Sequence, residues 1–109
     1  MLFDINELRK RLIMRYFKIE SDGRHNNDWG GYPVDWIEVN ENGIVEREIN
    51  EYPNGNALSY DRGHVEDDDG ALTTDDIVIN DFWIPLEITK DDFESKWKSI
   101  SPMNRENRF

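Results

Sequence analysis

The fold of this chain is decided by residues 35–49, DWIEVNENGIVEREI. Two runs rich in Ile and Val, residues 35–40 and 44–49, flank the pair Asn42-Gly43. Both residues of this pair tolerate positive φ, and in such a position they are among the strongest short-range signals of a β-hairpin. The stretch therefore predicts two antiparallel strands joined by a tight turn.

The register of this hairpin stays open between two pairings. A two-residue loop pairs Glu38 favourably with Arg47 but sets Val39 against Glu46. A three-residue loop pairs Val39 with Val45 but places the like charges of Glu38 and Glu46 opposite each other. Each pairing contains one favourable and one unfavourable contact, so the sequence decides for neither.

Further strands are predicted on both sides of the hairpin. Residues 14–20 alternate between apolar and polar side chains, and residues 57–60 form a short apolar run after a turn. The apolar triplet 82–84 precedes Pro85, and proline within a sheet is tolerated at an edge. We therefore expect the triplet, or the residues after it, to form an edge strand.

One helix is predicted towards each end of the chain. Within residues 1–13, apolar side chains recur at helical spacing behind Asp4, which is placed as a helix cap. Thr89 is placed as the cap of a second helix, in which Phe93 and Trp97 share one face. We expect these two aromatic side chains to pack the C-terminal helix on one face of the sheet.

Together these elements predict an α+β fold. We expect a single domain over residues 1–109, with an antiparallel sheet of four to five strands flanked by a short N-terminal helix and a C-terminal helix. The core is expected over residues 14–100, with the N-terminal helix over 1–13 and a frayed tail over 101–109. Short hairpin connections leave no room for the crossover helices of a parallel sheet.

Acidic residues dominate the charge of the chain. It has 24 Asp and Glu against 13 Lys and Arg, a net charge of −11, and 18 of the acids but only three of the bases lie in residues 35–94. DNA, RNA and anionic membranes bind mainly through cations, so direct binding to them is not expected. A basic protein partner suits this charge, although acidity for solubility alone is the alternative interpretation.

No metal, cofactor or catalytic site is predicted. The run 66–70, EDDDG, invites a calcium interpretation, but an EF-hand frame with Gly70 at position 6 puts Val65, which cannot ligate, at position 1. His25 and His64 lie in polar, turn-rich surroundings without a nucleophile motif nearby. Cysteine is absent, which excludes thiolate chemistry. We therefore expect a protein that is not an enzyme.

Residues 61–76, called the acidic loop below, are predicted to make the main contact with a basic partner. The loop holds seven acids in sixteen residues, against Arg62 as its base. Tyr60 and Trp36 are expected to serve as apolar anchors beside it. The predicted contact residues are Trp36, Tyr60, Asp61, Glu66, Asp67, Asp68, Asp69, Asp75 and Asp76. A disordered, solubilising loop without a partner is the alternative.

Three segments carry a resemblance to a family of small bacterial domains: RYFKIE at 15–20, the hairpin at 37–43, and ITKDDFESKW at 88–97. Domains of that family start with an Arg-Tyr-aromatic-Lys strand and close with an Ile-Ser/Thr-x-x-Asp/Glu-Phe-x-x-x-Trp helix. The likeness covers roughly residues 14–100. Compact acidic proteins of this kind are similar to immunity proteins of bacterial toxin systems, including contact-dependent growth inhibition. The resemblance implies no catalytic residues.

The expected function is that of an immunity protein, which binds a cognate toxin domain and covers its substrate-binding surface. A nuclease toxin suits the charge, because a nuclease presents Lys and Arg to phosphates. The alternatives are a non-catalytic adaptor or regulatory module with another partner, and a small enzyme that uses His64 or loop carboxylates. With no signal peptide and no apolar run of 18 residues, we expect a cytoplasmic protein that is a monomer when free.

Overall fold

A computed structural model describes residues 14–21 and 24–100. Its elements are strands β1 (Arg15–Glu20), β2 (Val34–Val39), β3 (Val45–Glu51), β4 (Ala57–Tyr60) and β5 (Glu87–Ile88), and helix α1 (Lys90–Ile100). The strands form one antiparallel sheet in the order β4-β3-β2-β1-β5. This confirms the α+β class and the edge strand expected beside Pro85. The helix predicted for 1–13 and the frayed tail predicted for 101–109 lie outside the described residues.

The β2–β3 hairpin contains the favourable pair of each predicted register. Val39 pairs with Val45 and Glu38 pairs with Arg47, because the register shifts between these two steps. Glu46 is the extra residue of the resulting β-bulge, so it opposes neither Val39 nor Glu38. The bulge removes both unfavourable contacts that made the register undecidable.

Gly43 closes the three-residue turn of this hairpin. The Asn40 amide donates to the Ile44 carbonyl at 2.9 Å, and Gly43 has a φ of +81°. A Cβ atom at this position would lie 2.3 Å from the carbonyl oxygen of Ile77, whose own amide donates to the Gly43 carbonyl at 2.7 Å. Both the backbone conformation and the close approach therefore require glycine here.

The bulge also decides which β3 side chains face each side of the sheet. Before the bulge, Val45 packs in the same core cluster as Val39, and regular alternation would send Arg47 and Ile49 to that side as well. The extra residue inverts the alternation. Arg47 and Ile49 consequently face α1, and Glu48 faces the other side.

Helix α1 covers one face of the sheet. The Thr89 side chain caps it by accepting a hydrogen bond from the Asp92 amide at 3.0 Å. Phe93 is fully buried and its ring centroid lies 5.3 Å from that of Tyr16 on β1, while Trp97 packs on the same cluster. The predicted packing through Phe93 and Trp97 is confirmed.

Residues 61–86, mostly irregular, cover the opposite face. Leu72 is buried there, and Ile77 and Trp83 pack against the same core cluster. The Trp83 ring meets the fully buried ring of Phe17 edge-on, with centroids 5.4 Å apart. The acidic loop is therefore the outer wall of a hydrophobic core, and its Leu72 side chain holds it on the sheet.

Candidate functional site

Asp67 organises the inside of the acidic loop. Its Oδ1 accepts hydrogen bonds from the Tyr60 hydroxyl at 2.8 Å, the Asp69 amide at 2.9 Å and the Gly70 amide at 3.1 Å. Its Oδ2 lies 3.1 Å from Nε2 of His64, whose ring stacks on Tyr60. A carboxylate bonded in this way fixes the path of the backbone around it. The loop is a shaped structure that uses one of its charges internally.

Three of the predicted contact residues are engaged within the protein itself. Tyr60 has no exposed surface, so its assignment as an apolar anchor for a partner is wrong: the alternation of β4 places it in the core. Asp67 holds the loop as described above, so it is a structural residue of the loop. Asp61 accepts a hydrogen bond from the Gly63 amide at 2.8 Å and thereby stabilises its own turn. Asp69 is half-buried.

Trp36 lies on the other face of the sheet from the acidic loop. Its neighbour Ile37 occupies the loop side, so the alternation of β2 sends Trp36 towards α1. The ammonium groups of Lys18 and Lys96 lie over its ring, at 4.6 and 5.1 Å from the centroid. The prediction that Trp36 and the loop form one contact surface is therefore wrong.

The remaining predicted contact residues project from the acidic loop into solvent. These exposed carboxylates belong to Glu66, Asp68, Asp75 and Asp76. None of them forms an ion pair with a residue in 14–21 or 24–100. Among the described residues, these four carboxylates of the loop therefore have no counter-charge.

Four cations of the described structure form ion pairs with acids that lie outside the acidic loop. The pairs are Arg15 with Glu87 (2.7 Å), Arg47 with Glu38 (2.6 Å) and with Glu94 (2.7 Å), Arg62 with Glu46 (3.6 Å), and Lys96 with Glu51. These pairs neutralise acids on the sheet and on α1, and none of them involves Glu66, Asp68, Asp75 or Asp76.

A cavity of about 440 Å³ lies between the acidic loop and the sheet. Asp35, Glu48 and Asn50 face it from β2 and β3, and Thr73 and Asp75 face it from the loop. The Asn50 side-chain amide donates both to Asp35 Oδ1 at 2.7 Å and to Glu48 Oε2 at 3.0 Å. The Thr73 amide donates to the other oxygen of Glu48 at 2.8 Å. Two carboxylates therefore share the floor of the cavity.

These two carboxylates have neutral partners only. Glu48 is 5 % exposed, and no Lys, Arg or His among residues 14–21 and 24–100 forms an ion pair with it or with Asp35. Burial raises the pKa of Asp35 to about 6, and the nearby charge of Glu48 acts in the same direction. Arg24 stands at the cavity wall, where its guanidinium donates to the Asp69 carbonyl. At neutral pH Asp35 is therefore ionised in surroundings that disfavour its charge.

Sequence reasoning missed this floor. A signal existed for Asp35, since it alternates with Ile37 and Val39 on β2 and so shares their core face. Glu48 and Asn50 carried no such signal, because their face depends on the bulge at Glu46. An acid that alternates with core residues is a feature that a sequence alone can show.

The described residues do not show a metal centre. Within 14–21 and 24–100, no group of three or more Asp, Glu or His side chains has an arrangement that could hold a metal ion. His64 is engaged with Asp67, and the His25 ring packs edge-on against Tyr32 with centroids 4.6 Å apart. No helix in this part of the chain has the length and apolar character needed to cross a membrane.

Comparisons with family models, with curated proteins and with solved structures find no match to this chain. The resemblance to a family of small bacterial domains accordingly stays a prediction from the sequence segments at 15–20, 37–43 and 88–97. The candidate site itself rests on the geometry of the acidic loop and of the cavity beneath it.

Proposed function

We propose that this chain is a cytoplasmic immunity protein that binds and neutralises a cognate bacterial toxin, a basic nuclease, by covering its substrate-binding surface. It acts by binding and not by catalysis. The acidic loop forms the contact, with Glu66, Asp68, Asp75 and Asp76 as its charged groups. Tyr60 and Trp36 take no part in this revised surface, because one is buried and the other lies on the opposite face.

The observation that carries the proposal is that four exposed loop carboxylates have no ion-pair partner among the described residues: Glu66, Asp68, Asp75 and Asp76. Like charges held side by side repel each other and weaken a fold, so folding alone gives no reason to gather them. A basic partner would replace this repulsion with electrostatic attraction. A row of Lys and Arg that binds phosphates would be attracted to the same loop.

The shape of the loop supports the proposal further. Asp67 holds the backbone through hydrogen bonds from Tyr60, Asp69 and Gly70, and the apolar side chain of Leu72 fastens the loop to the core. A preorganised set of charges loses little conformational entropy when it binds. Electrostatic attraction then raises the association rate, which a protective protein needs when a toxin enters the cell.

The test is protection of bacterial cells that produce the toxin domain encoded beside this gene. Cells that also produce the chain should survive, and purified chain should block cleavage of nucleic acid by the purified toxin domain in a one-to-one ratio. Survival unaffected by the chain, together with unimpaired cleavage, would reject the proposal. Binding to a neighbouring gene product that is not a toxin would instead favour the adaptor class.

A further inference from the structure

We infer that the cavity beneath the acidic loop is a binding site for a guanidinium group, supplied by an arginine side chain of the toxin. This inference rests on the proposed function and deepens it. The exposed loop carboxylates account for long-range attraction, whereas the cavity accounts for a specific contact at the centre of the interface.

The first argument is the charge state of the floor. Asp35 and Glu48 both accept from the Asn50 amide, so their oxygens are close neighbours, and neither has a cationic partner among residues 14–21 and 24–100. Two desolvated carboxylates without a cation are unfavourable in the free protein. An incoming cation would supply the missing charge, so the site favours binding over the unoccupied state.

The second argument is space and shape. A cavity of about 440 Å³ lies between the acidic loop and the sheet, and Tyr52 and Asp75 also line it. Planar guanidinium carries five N–H donors in a fixed fork, which suits several acceptors that converge from two strands and a loop. An ammonium group has three donors on one atom and matches such a set less well.

Among the described residues, Arg24 is the arginine at the cavity, and it does not occupy the floor. Arg24 contributes to the wall, but its guanidinium donates to the backbone carbonyl of Asp69. The groups that shift the pKa of Asp35 are Glu48, Asn50 and Ser21, and Arg24 is not among them. Arg24 therefore marks the rim of the cavity and leaves the floor to another cation.

The test uses N-acetyl-L-argininamide as the probe and two-dimensional NMR of the ¹⁵N-labelled full chain at low ionic strength. Saturable shifts should be centred on the Thr73 amide and on the Asn50 side-chain amide. The neutral isostere N-acetyl-L-citrullinamide should produce no such shifts. The double variant Asp35→Asn, Glu48→Gln keeps acceptor oxygens and removes both charges. It should bind the probe at least about tenfold more weakly, the size expected for one lost charge-assisted hydrogen bond.

Two controls separate this site from general attraction to an acidic surface. The variant Asp91→Asn, Asp92→Asn removes two charges from α1 on the opposite side of the sheet and should leave probe affinity unchanged. Lowering the pH from 7.5 to 5 should weaken binding to the unaltered chain, because Asp35, with its pKa near 6, becomes neutral. The Asp35→Asn variant should show less of this loss. If the double variant does not fold, the Asp35→Asn variant replaces it in the affinity measurement.

Shifts spread over all exposed carboxylates, or equal probe affinity in the double variant, would overturn the inference. So would a toxin complex that is equally strong with the double variant, and that result would leave the proposed function standing. Conversely, a chain that binds the probe at this floor but binds no toxin would reject the proposed function and retain the guanidinium site.

Discussion

Asp67 is the residue on which the shape of the acidic loop depends. Replacing it with Ala removes the acceptor for the Tyr60 hydroxyl and for two backbone amides. Loss of such an acceptor should lower the free energy of unfolding by about 2 kcal/mol. The exposed neighbour Asp68 is the matched control. Asp68→Ala should change the free energy of unfolding by less than about 0.5 kcal/mol. Urea denaturation of both variants measures the difference, and equal stabilities would contradict the role given to Asp67.

Asp35 should make the stability of the protein depend on pH. Its folded-state pKa of about 6 lies above the unfolded value near 3.9, so ionisation is disfavoured in the folded state. The cost is present above the folded pKa of about 6, shrinks as the pH falls through that value, and is lost once the unfolded chain is also protonated below about pH 3.9. Asp35→Asn should therefore raise the free energy of unfolding, relative to the unaltered chain, by about 2 kcal/mol more at pH 7.5 than at pH 4.

The measurement is chemical denaturation of both proteins at the two pH values. Comparing the variants cancels the titration of other groups, which are common to both chains. A difference in unfolding free energy that is the same at both values would show that Asp35 is not held in a desolvated place.

For single residues, the sequence shows which residue types the acidic loop contains, but not which of their side chains turn inward. The density of acids in residues 61–76 is visible in the letters, and four of them do project into solvent. That Asp67 turns inward depends on hydrogen bonds to Tyr60 and to the backbone, which form only after the loop has folded over the core. Adjacent aspartates in a sequence carry no sign of which one will be the acceptor.

Among the elements, the β2–β3 hairpin controls the geometry of the site. Gly43→Ala should be strongly destabilising, because the new Cβ would lie 2.3 Å from the Ile77 carbonyl oxygen in addition to the strain of positive φ. Gly55 is the matched control: its φ is +94° and a Cβ there would meet nothing within 4 Å. We expect Gly55→Ala to cost about 1–2 kcal/mol from the backbone alone, and Gly43→Ala to cost clearly more.

Thermal or urea unfolding of the two variants tests this expectation. The difference between them isolates the steric contact between the hairpin turn and the segment that covers the sheet. If Gly55→Ala proved as destabilising as Gly43→Ala, the contact with Ile77 would have no energetic weight.

The sequence pattern predicted the positions of the strands and the helix, but it did not predict the β-bulge. The strands at 15–20 and 57–60 and the helix behind Thr89 lie where alternation, turn chemistry and capping predicted them. A β-bulge leaves no local signal beyond two registers that each contain a clash. In this hairpin Glu46 clashes with Val39 in one register and with Glu38 in the other. Leaving Glu46 unpaired in a bulge removes both clashes.

At the scale of the whole molecule, we expect the acidic loop to be the binding face and the α1 side to take no part in binding. The chain offers two adjacent exposed aspartate pairs, Asp75 with Asp76 on the loop and Asp91 with Asp92 on α1. Changing either pair to Asn removes the same charge. Because Asp91 and Asp92 favour the start of the helix, their change also lowers stability slightly. Both variants remain comparable when their association is measured well below the unfolding transition.

Function was less predictable than fold from this sequence. The net charge of −11 is the ground on which a basic partner is proposed, and the fold class adds no information about its identity. The carboxylate floor beneath the loop needed a structure, because Asp35 and Glu48 come together from two strands whose relative register the sequence left open.

The measurement that tests the central claim most directly is the association rate with the neighbouring toxin domain, by stopped flow, at 20 and at about 150 mM salt. The account predicts that the Asp75→Asn, Asp76→Asn variant associates several-fold more slowly at low salt and with a flatter salt dependence. The Asp91→Asn, Asp92→Asn variant should associate like the unaltered chain. Equal rates and equal salt dependence for the two variants would contradict the claim that the acidic loop is the face that meets the toxin.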